Sequence, residues 1–97
     1  MSTSAKRTLK ILKALKGHTL NGLSNNDLAR IVNDTPSNIT RALDTLITEG
    51  LVEKKETGRF SLSIQTLQIA VSHLEEMDKV KRKADELNQR VISGSRN

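Results

Sequence analysis

The sequence predicts a mainly α-helical fold with one small β-hairpin, an α+β arrangement that ends in a single long helix. Three observations carry this prediction. The 97 residues include one aromatic side chain, Phe60, so the core must be built from Leu, Ile, Val and Ala, which favours helices over a large sheet. Asn33 to Val52, N-D-T-P-S-N-I-T-R-A-L-D-T-L-I-T-E-G-L-V, reads as a short, strongly capped helix emptying into a strand. From Ile64 to Ile92 the pattern is helical throughout, with no Pro or Gly until Gly94.

The first helix is expected to start near Ser4 and to carry Leu9, Ile11, Leu12, Ala14 and Leu15, with Lys6, Lys10, Lys13 and Lys16 making its outer face basic. Gly17-His18 ends it. A loop to Gly22 leads to Leu23, which is either a short edge strand or a plug into the core. Ser24 then reads as an N-cap with Asp27 three positions on, a relative of the capping box, and a short second helix follows with Leu28, Ala29, Ile31 and Val32 as its apolar positions. Asn33-Asp34 makes the turn into the third helix.

In that third helix Thr35 stands at the N-cap and Pro36 at the first helical position, where its missing N–H costs nothing. Ile39, Leu43, Leu46 and Ile47 recur at spacings that put them on one face, leaving Ser37, Asn38, Thr40, Arg41, Asp44 and Thr45 on the other. Gly50 is the residue expected past the helix end. Leu51–Glu56 and Arg59–Ser63 flank Thr57-Gly58, read as a two-residue hairpin turn, with Val52, Phe60 and Leu62 facing the core and Lys54, Lys55 and Arg59 at or near the tip. Two helices joined by a tight turn and followed by a basic hairpin make a winged helix-turn-helix.

The last helix divides in two. Ile64, Leu67, Ala70, Val71 and Leu74 form a broad apolar stripe suited to packing on a domain, whereas Met77, Val80, Ala84, Leu87 and Val91 form a narrow seam suited to pairing helices. So short a seam is marginal alone, so Leu67, Val71 and Leu74 must contribute to any dimer. The expected assembly is a two-fold homodimer. Domain limits follow: residues 5–63 as the winged helix-turn-helix, 64–92 as the dimerisation helix, and 1–4 and 93–97 as flexible tails.

Sixteen Lys plus Arg against eleven Asp plus Glu give a formal charge of +5, which suits a polyanionic partner. The excess sits at the N-terminal end, where residues 1–34 carry six basic and two acidic side chains. The run Lys79-Val80-Lys81-Arg82-Lys83 is offset by acids four residues away, at Glu75 and Lys79, Asp78 and Arg82, Lys81 and Asp85, and Arg82 and Glu86, so it reads as a solvated, self-paired helix face. Scarcity of aromatics counts against single-strand binding, which stacks bases on such rings. There is no cysteine, which excludes disulfides, thiolate catalysis and Cys-based zinc sites. His18 and His73 lack ligand partners at suitable spacing, no catalytic motif is present, and no apolar run reaches membrane-span length. The reading is a non-enzyme with no metal, no cofactor, no small-molecule ligand and no membrane partner, placed in the cytoplasm with the nucleoid.

The ordered segments R-T-L-K-I-L-K-A-L at Arg7–Leu15, G-L-S-N-N-D-L-A-R-I at Gly22–Ile31, P-S-N-I-T-R-A-L-D-T-L at Pro36–Leu46, E-G-L-V-E-K at Glu49–Lys54 and G-R-F-S-L at Gly58–Leu62 resemble the N-terminal winged helix-turn-helix domain of the IclR family of bacterial transcription regulators. The resemblance covers roughly residues 5 to 70. It implies a dimeric domain that binds operator DNA through Ser37, Asn38, Thr40 and Arg41, with the wing at Lys54–Arg59. The family's ligand-sensing domain has no counterpart here; the long helix stands in its place.

Arg41 reads as a base-edge contact, to guanine by its bidentate chemistry, or as a phosphate contact or solvated residue. Asn38, Thr40 and Thr45 share its polar face, and Ser37 could instead serve the helix terminus. Lys54, Lys55 and Arg59 read as phosphate contacts from the hairpin, and Lys6 and Arg7, together with Lys10, as a clamp from the first helix. The leading function is a sequence-specific regulator that binds duplex DNA, a dimeric repressor. The alternatives are a winged-helix module that scaffolds a larger complex and a non-specific architectural DNA binder.

Overall fold

The computed structural model describes residues 3–95, in the order α1 (Thr3–Ala14), α2 (Asn25–Val32), α3 (Pro36–Thr48), β1 (Val52–Lys54), β2 (Phe60–Leu62) and α4 (Ile64–Ser95). This is a mainly helical winged helix-turn-helix with one two-stranded antiparallel hairpin and a long C-terminal helix. Two helices reach further than the sequence suggests. Thr3 and Ser4 belong to α1, where Thr8 Oγ1 donates to the Ser4 carbonyl, and α4 continues through Gly94 to Ser95. The rest of the expected tails, residues 1–2 and 96–97, lies outside the described residues.

The helix boundaries follow from local chemistry. Ser24 and Asp27 form a full capping box: the Ser24 hydroxyl accepts from the Asp27 N–H at 3.1 Å and the Asp27 carboxylate from the Ser24 N–H at 3.1 Å. Asn33 closes α2 in the left-handed conformation, φ 60°, which Asn tolerates better than other side chains, and Asp34 N–H bonds back to the Ala29 carbonyl. Thr35 caps α3 through the Asn38 N–H with Pro36 just inside. At the far end Gly50, φ 79°, lets Leu51 N–H reach the Leu46 carbonyl and turns the chain into β1.

The core gathers Ile11, Leu15, Leu28, Ile39 and Leu43, all essentially inaccessible, with Val52 and Phe60 supplied by the hairpin. Helix α1 packs on both α2 and α3. Leu23 resolves as both expected alternatives at once: it is buried and forms a one-residue bridge to Phe60 through two 2.8 Å backbone bonds, giving the hairpin a third edge. The apolar stripes are narrower than expected, since Leu9, Ile31 and Ile47 are 45%, 56% and 37% exposed. In the short α2, Ile31 lies about 60° round the helix from the inward Leu28, at the edge of the buried face.

The hairpin departs from a two-residue turn. Register pairs Val52 with Leu62 and Lys54 with Phe60; Lys55 N–H bonds the Arg59 carbonyl and Gly58 N–H the Lys55 carbonyl, which leaves Glu56, Thr57 and Gly58 as a three-residue loop. Gly58, φ 83°, occupies the left-handed position such loops require.

The first compact unit runs to Leu67, one helical turn into α4. Ser63 caps that first turn by accepting from the Thr66 N–H, and Thr66 Oγ1 donates to the Leu51 carbonyl at 2.7 Å. The second unit, from Gln68, is the remainder of α4. On it Arg82 pairs with Asp78 at 2.7 Å, while Lys79 pairs with Glu76 three residues away instead of Glu75 at four. No ion pair joins Lys81 to Asp85 or Arg82 to Glu86 among the described residues.

Candidate nucleic-acid interface

Helix α3 buries Ile39, Ala42, Leu43 and Leu46, which leaves Ser37, Arg41, Asp44 and Thr48 directly opposite, all exposed. Of the expected readers, Ser37 and Arg41 therefore sit at the centre of the outer face. Asn38 and Thr45 lie toward α1, where with Arg7 and Arg41 they line a shallow groove, and Thr40 lies toward the hairpin in a cleft shared with Asp44 and Lys54. Asp44 and Thr48 were not among the expected contacts. The helical spacing already puts Asp44 on this face, and the same 3.6-residue period puts Thr48 there too.

Several polar groups on this surface already have internal partners. Asp34, in the turn, accepts from Arg7 Nε, from Asn38 Nδ2 at 2.8 Å and from the Thr35 N–H at 2.7 Å, tying α1, the turn and the first turn of α3 together. Thr40 Oγ1 donates to the Pro36 carbonyl at 3.0 Å and accepts from Asn25 Nδ2 at 2.8 Å, which links α3 to α2. Thr45 Oγ1 donates to the Arg41 carbonyl at 3.3 Å. Arg41 and Ser37 have no side-chain partner among the described residues.

On the hairpin, Lys54 is exposed with its Nζ 5.9 Å from the centre of the Phe60 ring, and Lys55 is half-buried beside the loop. Arg59 folds back instead: its Nε donates to the Asn21 carbonyl at 3.0 Å and its Nη2 to the Gly22 carbonyl at 3.1 Å and to Asp27 at 3.3 Å. Sequence reading placed Arg7 and Arg59 among the cations facing a partner. Their acceptors lie 27 residues away for Arg7 and 32 to 38 for Arg59, beyond the reach of any local pattern. Lys6 and Lys10 are exposed on α1.

Asp34 carries the strongest electrostatic signature of the surface. The Arg7 guanidinium, then the Asn38 amide and the Thr35 N–H, hold its carboxyl down to about 2 from an ordinary 3.8. A carboxyl more acidic folded than unfolded stabilises the fold above its unfolded value and loses that contribution as pH falls through the folded one. Asp34→Asn should therefore melt below the wild type at pH 5, with the difference closing between pH 3.8 and about 2. Parallel thermal melts across that range check it; a difference independent of pH would mean that the charge is not what matters. Asp27 is also more acidic than usual, chiefly through the Ser24 backbone and side-chain bonds and then through Arg59 and Arg30.

Among the described residues no three His, Cys, Asp or Glu side chains gather to hold a metal ion, and no helix is long and apolar enough to cross a membrane. The surface is instead a polar helix face flanked by lysines. Its family model is the IclR helix-turn-helix domain, matched over residues 4–56. The chain belongs to the IclR helix-turn-helix family. That family consists of DNA-binding domains of transcription regulators. Pseudomonas aeruginosa HmgR is similar at 32% identity and TM-score 0.67 over 82% of this chain, which spans 33% of HmgR. An IclR homolog from Microbacterium sp. strain HM58-2 is similar in fold, at 17% identity and TM-score 0.63, over 73% of this chain and 29% of its own. The S. aureus MepR–DNA complex shares the fold at 19% identity and TM-score 0.53, covering 96% of this chain and 80% of MepR. The comparison with curated protein sequences returned no match.

Proposed function

We propose that this IclR-type domain is a sequence-specific regulator of transcription that binds duplex DNA as a two-fold dimer and represses by occluding a promoter. The observation that carries the reading is the outer face of α3, where Ser37 and Arg41 stand exposed without side-chain partners among the described residues, with Lys54 of the hairpin alongside. A capped helix of 13 residues fits the major groove, and cations on the flanking hairpin fit the adjoining phosphates. In this reading Arg41 meets a base edge, Ser37, Asn38, Thr40 and Thr45 border it, and Lys54, Lys55 and Lys6 meet phosphates, while Arg7, expected from the sequence as a contact, holds Asp34 instead. MepR, which shares the fold, has been crystallised with DNA, and this supports DNA as the partner.

The dimer rests on α4. Leu74, Met77, Val80, Leu87 and Val91 are each more than half exposed in the single chain, at the spacing of a helix-pairing seam, and a second copy of the same helix supplies the matching surface. Two copies present two recognition helices, so the site is a pseudo-palindrome.

Selection of bound duplexes from a random pool tests the function. A partly palindromic consensus is expected, and Arg41→Ala should relax one position of each half-site by about 1–3 kcal/mol of discrimination while other positions keep theirs. A protein that retains no duplex at low salt, or whose consensus ignores Arg41, overturns the reading.

A further inference from the structure

The hairpin's third cation does a different job from its neighbours. We propose that Arg59 is the staple that positions the wing against the helix-turn-helix, and is not itself a DNA contact. Its planar guanidinium spends Nε and Nη2 on the Asn21 and Gly22 carbonyls and on Asp27, all on the segment that leads into and opens α2. Asp27 is itself fixed, accepting from the Ser24 N–H at 3.1 Å and from Arg30 at 2.7 Å. The Arg59 backbone closes the loop, since its carbonyl accepts from the Lys55 N–H at 2.7 Å, and the next residue, Phe60, bridges to Leu23. One residue thus joins the base of the loop that carries Lys55 to the start of the helix-turn-helix.

A lysine keeps the charge but is a single ammonium on a flexible stem, and it does not reproduce a fork held by three acceptors. That difference separates a staple from a phosphate contact, which Lys serves well. The consequence for DNA rests on the function proposed above; the staple itself does not.

The test uses the full chain and its variants Arg59→Lys, Lys55→Gln and the double substitution, each titrated with a mixed-sequence duplex at low salt. Arg59→Lys should weaken binding about five-fold, and Lys55→Gln, about five-fold in the wild type, should cost almost nothing on top of it, because a displaced wing no longer brings Lys55 to a phosphate. Wild-type affinity in Arg59→Lys overturns the proposal, as does an undiminished cost of Lys55→Gln in its presence, which a general loss of stability would give. Amide exchange decides the staple independently of DNA. Arg59→Lys should speed exchange at Lys55 and Phe60 by about ten-fold while leaving Leu43 in α3 unchanged. Unaltered exchange at both hairpin amides overturns the staple. Failure of the wild type to retain duplex overturns only the function, and the exchange result then stands alone.

Discussion

Gly22→Val is expected to lower the melting temperature by about 15 °C. Two costs fall on one residue. Gly22 has φ 70°, a conformation that a β-branched side chain adopts only under strain, and a Cβ built there lies 2.6 Å from the Phe60 carbonyl oxygen. That oxygen accepts the Leu23 N–H at 2.8 Å, so relieving the clash pulls apart the bridge that joins the hairpin to the helix-turn-helix. Gly58→Ala is the control. Its φ of 83° is comparable but nothing lies within 4 Å of the added Cβ, so it should cost only the backbone strain, about 1 kcal/mol. Thermal melts of the two variants check the contrast; equal losses would mean that the close approach at Phe60 contributes nothing.

What was legible in the sequence depends on how far apart the cooperating residues stand. The α3 start needed only Thr35, Pro36 and the Asn38 N–H, all within four residues, and the capping box of α2 needed only Ser24 and Asp27. Such motifs are local, so their chemistry reads directly from spacing. The hairpin loop was missed by one residue, because Thr57-Gly58 resembles a two-residue turn while Gly58 instead fills the left-handed slot of a three-residue one. Ile31 and Ile47 read as core in the sequence because an apolar side chain at helical spacing carries no mark of how wide the covering surface is, yet both are exposed. The cations were least legible. Arg41, Lys54 and Arg59 are all cations in the sequence, yet the first is exposed on the outer face of α3, the second lies over an aromatic ring and the third is bound into the loop before α2. Only tertiary geometry separates them, and with it the division between side chains free to meet a partner and those that shape the surface.

If the chain pairs through α4 as proposed, Leu87→Asp is expected to leave it a monomer and to weaken binding to a palindromic duplex by about 100-fold, with binding to an isolated half-site nearly unchanged. Leu87 lies in the seam formed with Met77, Val80, Ala84 and Val91, whose alternating spacings of three and four keep one narrow line of a helix facing its partner. In the single chain it is 59% exposed, so a carboxylate there costs the protomer little. In a two-fold pair two such carboxylates meet across the seam, and each loses water without gaining a counter-ion. The substitution thus acts on association and not on the fold. Far-ultraviolet circular dichroism should show the wild-type helix content, and light scattering should show half the mass. The half-site result ties the seam to function, because a monomer keeps every contact of one recognition helix and loses only the raised effective concentration of the second. A variant that stays dimeric would place the pairing surface elsewhere on the chain, and a monomer that still prefers the palindrome would detach operator symmetry from α4 altogether.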